Sequence, residues 1–240
     1  VHNGFLLQDD IIDKSSVRRN KPTIHTKFSK KNGDHYGQSQ AAMVTDAAFF
    51  EAFKLVNSLK VKIKIVIVDA LLNVFLDTVY GEAMDVEFSY GDFAIADIWK
   101  MTEFKTARYT FVGPLVCGAM MANASGKLLK ILEEFGLNMG IAFQLKDDEL
   151  GVFGDQKTIG KSTLSDMVEG KNTILFKIAQ NLANGVAKTK LKSLWGKKTA
   201  TTKDLEAIKV IFIEVGATVW LEGEIEKHTK QARVKISKIT

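Results

Sequence analysis

The sequence predicts an all-α fold. Apolar residues recur at three- and four-residue spacing almost throughout, and only Pro22 and Pro114 interrupt 240 residues. The one stretch that alternates like a strand, Val61 to Val68, runs without a break into a 3.6-residue stripe. That stripe is Ile65, Val68, Leu72, Phe75 and Val79, and it predicts one helix to about Phe88. Ahead of it, the apolar run Gly4-Phe5-Leu6-Leu7 leads into an acidic helix end, and a helix is expected over Tyr36–Asn57. Behind it, helices are expected around Ile95–Thr110, Phe111–Asn123, Leu128–Val152, Thr173–Asn184, Lys203–Val215 and Ala217–Lys235. Gly113-Pro114 should break or kink one long helix into two. The polar, glycine-bearing stretches Lys14–Gly33 and Gly154–Gly170 read as loops.

With 46% hydrophobic residues and neither a low-complexity linker nor an internal repeat, one domain over residues 1–240 is the simpler organisation. Cys117 stands alone, which excludes an intrachain disulfide and points to a reducing compartment, the cytoplasm. Lysine, aspartate or glycine breaks each apolar run before membrane-spanning length, so no transmembrane segment is expected. A net charge of +5 could suit nucleic acid, but the lysines are scattered with no aromatic-basic patch, and a protein handling small anions fits as well. The chain opens at Val1 inside an apolar pattern and stops at Thr240 directly after an amphipathic run. Both ends are expected to be cut from a longer protein.

Two acidic clusters carry the chemistry. QDDIIDKSSVRR, Gln8 to Arg19, holds Asp9, Asp10 and Asp13 ahead of Arg18 and Arg19. Alone it could be a solvated helix end. FQLKDDELG, Phe143 to Gly151, repeats the arrangement with Asp147 and Asp148, followed by Lys157, Lys161 and Lys171. A helix C-terminus is already negative, so stacking carboxylates there costs stability, and doing so twice needs a ligand. Asp9 and Asp13 are four apart and share a helix face. Two such faces opposed across a cavity would hold hard divalent cations, because Mg²⁺ takes one or two carboxylates and completes its shell with water and phosphate. The trailing cations would meet the remaining phosphate charge. A calcium loop is disfavoured because the clusters are helical, and the four histidines and lone cysteine lack zinc spacing. Gly154 to Ser162 only partly mimics a nucleotide phosphate loop, with one residue too many between its glycines and a helix where a strand should precede it.

QDDIIDKSSVRRNKPTIH resembles the first aspartate-rich motif of the trans-isoprenyl diphosphate synthases, and GIAFQLKDDELGVFGDQKTIGKSTLSDMVEGKNT resembles the second. EFKTARYTFVGPL resembles the family's Lys-Thr segment and YGEAMDVEF the helix before it. The resemblance implies a helical bundle around a deep central cavity, a homodimer, and three Mg²⁺ ions with substrate bound. It implies that Asp9 and Asp13 ligate two metals and Asp147 the third, with Asp10 and Asp148 supporting them. Arg18, Lys105 and Lys161 would hold the allylic diphosphate with Lys171 nearby, and Arg19 would face isopentenyl diphosphate. Thr106 and Gln144 would place oxygens near the developing allylic cation, Phe143 and Tyr109 would shape the reacting pocket, and Arg108 would make a structural pair.

The implied activity is condensation of isopentenyl diphosphate with an allylic diphosphate (dimethylallyl, geranyl or farnesyl). A non-catalytic regulatory subunit of the same fold is the alternative. A terpene cyclase fits less well, since its second motif is normally Asn/Ser/Glu rather than Asp-Asp. The sequence departs from the family in lacking a Gly-Lys-Arg-type segment upstream of the first motif, and in Glu82 and Asn20, which replace a common glutamine and glycine. Product length should be set below the first motif. Gly4 occupies the position where the family often places a bulky aromatic, leaving Phe5, with Met43, Ala47 or Phe50 from the next helix, as the cavity floor. Together with GVFGD and TIGK, which resemble an archaeal and bacterial branch of the family, that favours the twenty-carbon geranylgeranyl diphosphate over farnesyl or longer polyprenyl products.

Overall fold

The computed structural model describes residues 1–60, 62, 64–155 and 162–239. The described chain is helical apart from one short hairpin, as the apolar periodicity predicts. It divides into two compact units, one formed by Val1–Leu72 and the other by Asn73–Asp155 with the residues from Ser162 on.

In the first unit, α1 (His2–Ile12) is followed by a hairpin, β1 (Val17–Arg18) and β2 (Lys21–Pro22), then α2 (Ile24–Asn32) and α3 (Asp34–Asn57). The loop expected over Lys14–Gly33 is therefore only partly a loop. Thr23, extended at φ −65° and ψ 163°, opens α2, and its hydroxyl meets Thr26 Oγ1 at 2.8 Å and His25 Nδ1 at 3.2 Å. Ile24 and Phe28 do sit four apart, but Lys27 and the run Ser29–Asn32 hide that period under polarity. The two hairpin-turn residues, Arg19 and Asn20, both adopt left-handed backbone, at φ 53° and 60°. This is the conformation that a two-residue turn needs to match strand twist. On α3 the buried row is Gly37, Ala41 and Thr45, one small residue per turn. A side chain at Gly37 would come within 2.8 Å of the Ser29 backbone nitrogen, so α2 packs directly on that row.

The second unit holds most of α4 (Lys64–Phe88), then α5 (Ile95–Thr102), a π-helix π1 (Glu103–Val112), α6 (Gly113–Met121) and α7 (Gly126–Phe153). It continues through α8 (Ser165–Glu169), α9 (Ile174–Leu182), α10 (Gly185–Leu194), α11 (Thr202–Glu214) and α12 (Ala217–Ile236). Side-chain oxygens cap three of these starts. Ser125 accepts from Leu128 N and Thr173 from Phe176 N, while Thr201 and Asp204 form a capping box. Leu145, Ile174, Leu175, Leu191, Ile208, Phe212 and Leu221 are fully buried, and Trp195 stacks on Phe176 with ring centres 4.4 Å apart. The division expected at Gly113-Pro114 is present as a change of helix type: π1 ends at Val112 and α6 begins at Gly113, with Pro114 in its first turn, where a missing N–H is harmless.

Candidate active site

The first acidic cluster ends α1. Arg18 donates from Nη2 to Asp9 Oδ2 and from Nε to Asp10 Oδ1, both at 2.7 Å. Asp10 is 3% exposed, and burial raises its pKa even though Arg18 opposes the rise. Burial alone would lower Arg18; its two carboxylate partners outweigh that and hold it above its ordinary value. Asp10 thus serves to fasten Arg18, and Arg18 lies as a cation against Asp9. Asp13 caps the helix, with its N–H bonded to the Asp9 carbonyl at 2.8 Å. Arg19 is exposed on the turn. Below the cluster, Phe5 is 3% exposed and meets Phe49 edge-on at 4.8 Å, and a Cβ on Gly4 would lie 2.9 Å from the same Phe49 ring. Met43, Ala47 and Phe50 are exposed. Phe49 continues the row Gly37, Ala41, Thr45 by one more turn, and that four-residue step was the signal for it.

The second cluster is assembled by α4, π1, α7 and α9. Lys105 of π1 donates to Asp85 Oδ2 at 2.6 Å and pairs with Glu82 at 3.0 Å; Lys171 lies 3.8 Å from the same Asp85 oxygen and 3.6 Å from Glu169. Glu82 and Asp85 are three apart on α4, one face of one turn. Thr106 donates to Gln144 Oε1 at 2.6 Å, and Gln144 Nε2 donates to Asp148 Oδ1 at 2.9 Å. The Ile174 N–H at the start of α9 donates to Asp148 Oδ2 at 3.1 Å. Asp147 sits beside this relay, partly exposed. Phe143 is half-exposed with its ring 5.6 Å from Phe111, and Tyr109 lies about one turn beyond Lys105 on π1, partly buried. The Lys171 backbone is fixed by Trp195 Nε1, which donates to its carbonyl at 2.9 Å. Its neighbour Asn172, buried, donates to the carbonyls of Phe88 and Gly91 at the end of α4. Lys157 and Lys161 lie outside the described residues. Asp85 and Asn172 are neighbours of the candidate site that the sequence did not single out.

Asp148 is buried and its pKa is pushed up to about 8, first by burial, with the Gln144 hydrogen bond opposing and the Asp166 and Asp147 charges adding to the rise. A raised folded-state pKa contributes stability at low pH that is lost as pH climbs through the folded value. In chelator, the melting temperature should therefore decline as pH rises toward about 8. Asp148→Asn should flatten the decline; an equally steep slope in that variant would assign it to another group.

Each acidic cluster carries oxygen donors of the kind Mg²⁺ takes. Asp9, Asp13 and Asp147 offer hard carboxylate oxygens, and a Mg²⁺ site of one or two carboxylates draws its other ligands from water and phosphate. Such a site needs no larger cluster, and no group of three or more His, Cys, Asp or Glu gathers in metal-ligand geometry among the described residues.

Residues 1–212 match the polyprenyl synthetase family. The chain belongs to that family. Over 211 residues it is 33% identical to the geranylgeranyl diphosphate synthase of Saccharolobus solfataricus, covering 86% of this chain and 61% of that one. It is 30% identical to the geranylfarnesyl diphosphate synthase of Aeropyrum pernix, covering 100% of this polyprenyl synthetase chain and 73% of that one. The fold is similar to the crystal structure of a geranylgeranyl pyrophosphate synthase from Corynebacterium glutamicum complexed with isoprenyl diphosphate and magnesium. There the TM-score is 0.92 at 30% identity, covering 98% of this chain and 70% of that one. The chain spans about three fifths of the length of several curated relatives it matches. No described helix is long and apolar enough to cross a membrane.

Proposed function

We propose that the protein is a Mg²⁺-dependent trans-prenyltransferase that condenses isopentenyl diphosphate with an allylic diphosphate to give geranylgeranyl diphosphate. The observation that carries the reading is the pairing of Lys105 and Lys171 on Asp85 beside the Thr106–Gln144–Asp148 relay, in a polyprenyl synthetase chain. On this reading the two lysines are the phosphate-binding cations, and the oxygens of Thr106 and Gln144 are the neutral groups that suit a carbocation. Arg18, Lys105, Lys171 and Lys161 bind the allylic diphosphate, and Arg19 faces isopentenyl diphosphate. Asp9, Asp13 and Asp147 hold the metal, three ions in all with substrate bound, while Asp10 and Asp148 fix Arg18 and Gln144. Bound Mg²⁺ supplies positive charge against the departing diphosphate. As the carbon–oxygen bond breaks, Lys105 and Lys171 meet the negative charge growing on the leaving group, and Thr106 and Gln144 turn oxygens toward the allylic cation. Tyr109 and Phe143 exclude water from that cation. The alkene attacks, and the departing diphosphate accepts the proton lost.

The working form we propose is a cytoplasmic homodimer. The dimer is supported by an apolar row on α4, where Leu76, Val79 and Val86 are 49%, 44% and 40% exposed on one helix face, and the compartment by the lone Cys117. Full-length protein incubated with Mg²⁺, isopentenyl diphosphate and each allylic primer should yield a twenty-carbon diphosphate by chromatography. No elongation from any primer would reject the reading.

Chain length should answer to Phe5. It lies one turn, roughly 6 Å, below Asp9 on α1, and removing its ring leaves a void against Phe49. Phe5→Ala should shift products past twenty carbons at a similar rate. An unchanged product would place the floor elsewhere. Gly4→Phe should shorten the product, with a stability cost, because the new side chain meets Phe49.

A further inference from the structure

Ten consecutive π-helical residues are unusual, because the register is normally confined to single turns. Something must select it here. Arg108 donates from Nη2 and Nε to Glu103 Oε1, at 2.6 and 2.8 Å, and Nη1 reaches Asp77 Oδ2 on α4 at 3.2 Å. Its guanidinium carbon also lies 5.3 Å from the Phe104 ring centre. Glu103 and Arg108 are five apart. In an α-helix five residues turn through about 500°, which leaves the two side chains about 140° from a common face. In a π-helix, the i to i+5 step is the hydrogen-bonded step, and the same two side chains stack. The ion pair therefore exists in the π register and is lost in the α register.

We propose that Arg108 is a positioning residue: by joining Glu103 to Asp77 it selects the π register of π1, and so aims Lys105 at Asp85 and Thr106 at Gln144. The inference rests on the prenyltransferase reading for its kinetic consequence only. The neighbours of π1 are shaped for the wider coil. A Cβ on Gly81 of α4 would lie 2.7 Å from Lys105 Cα, and one on Gly140 of α7 would lie 2.6 Å from Ala107 Cβ. Glycine on both flanks admits the π backbone, but it does not choose it; the ion pair makes the choice. Reversion to α would raise the turn per residue along the segment and so rotate its side chains relative to one another and to the flanking helices. Lys105 and Thr106 cannot then keep both of their partners.

The test uses full-length protein carrying Arg108→Gln, Arg108→Lys or Glu103→Gln. Lysine keeps the charge but cannot fork to Glu103 and Asp77 together. We expect Arg108→Gln and Glu103→Gln to raise KM for the allylic diphosphate about tenfold, with KM for isopentenyl diphosphate nearly unchanged. Arg108→Lys should fall between them and the parent. Amide hydrogen exchange, which needs no substrate, should quicken over residues 103–112 and stay as it was in the first half of α7. Parental exchange over π1 together with parental allylic KM overturns the proposal, as does a lower melting temperature with both of these unmoved. Faster exchange in variants of a parent that elongates no primer would uphold the register choice and reject the prenyltransferase reading instead.

Discussion

Asp147→Ala and Asp9→Ala should each abolish turnover while leaving the protein folded. The expectation follows from where the carboxylates sit. Asp147 is partly exposed beside a relay that Asp148, buried, already stabilises through Gln144 and the Ile174 N–H, so its loss removes no packing. Asp9 shares Arg18 with Asp10, and Asp10 retains that arginine at 2.7 Å when Asp9 is gone. Removing a ligand oxygen withdraws the cation charge that offsets the leaving group, an effect of about a thousandfold or more. Circular dichroism should be parental in both variants, and product formation at saturating Mg²⁺ should be at background. Near-parental turnover in either variant removes that aspartate from the metal site.

Gly140→Ala should cause a large loss of stability for a single methyl group. The new carbon would lie 2.6 Å from Ala107 Cβ, where α7 and π1 touch backbone to backbone. Neither neighbour has a rotamer that relieves the overlap, so the helices must separate. Overpacking of this kind costs about 1–3 kcal/mol, and each kcal/mol lowers Tm by about 2–4 °C in a chain of this size. Separation also stretches the Thr106–Gln144 hydrogen bond, so activity should fall together with Tm. A parental melting temperature would mean that the two helices have room to spare. Gly223, where an added Cβ meets nothing within 4 Å, provides the control: Gly223→Ala should be neutral or stabilising.

The helices of the second unit were legible because their apolar faces bury against one another, as Leu205, Ile208 and Phe212 do on α11. Ser125 and Thr173 cap two of their starts. The helix Ile24–Asn32 was not legible, since it leans on α3 through Gly37 and buries only His25 of its own side chains. The π register was invisible to a 3.6-residue period, although Glu103 and Arg108 at five-residue spacing were its trace in the sequence. The two aspartate clusters stood out because carboxylates at helix C-termini run against the helix dipole. What organises them did not stand out. Asp85 reads as one polar residue on an apolar helix until Lys105 and Lys171 converge on it, and Asn172 is recognised only through the carbonyls it ties together.

The hairpin turn has a further consequence. Arg19 holds a left-handed backbone at φ 53°, where a side chain carries a penalty of about 1–2 kcal/mol that glycine escapes. Selection for durability alone would favour Asn-Gly or Gly-Gly at positions 19 and 20, the relaxed choices for a two-residue hairpin. On the proposed reading the guanidinium of Arg19 faces isopentenyl diphosphate, so the strained turn position carries the charge that the site uses. Stabilising this protein by relaxed turn design would remove the guanidinium first, and, on the proposed reading, the hardier variant would bind isopentenyl diphosphate less well.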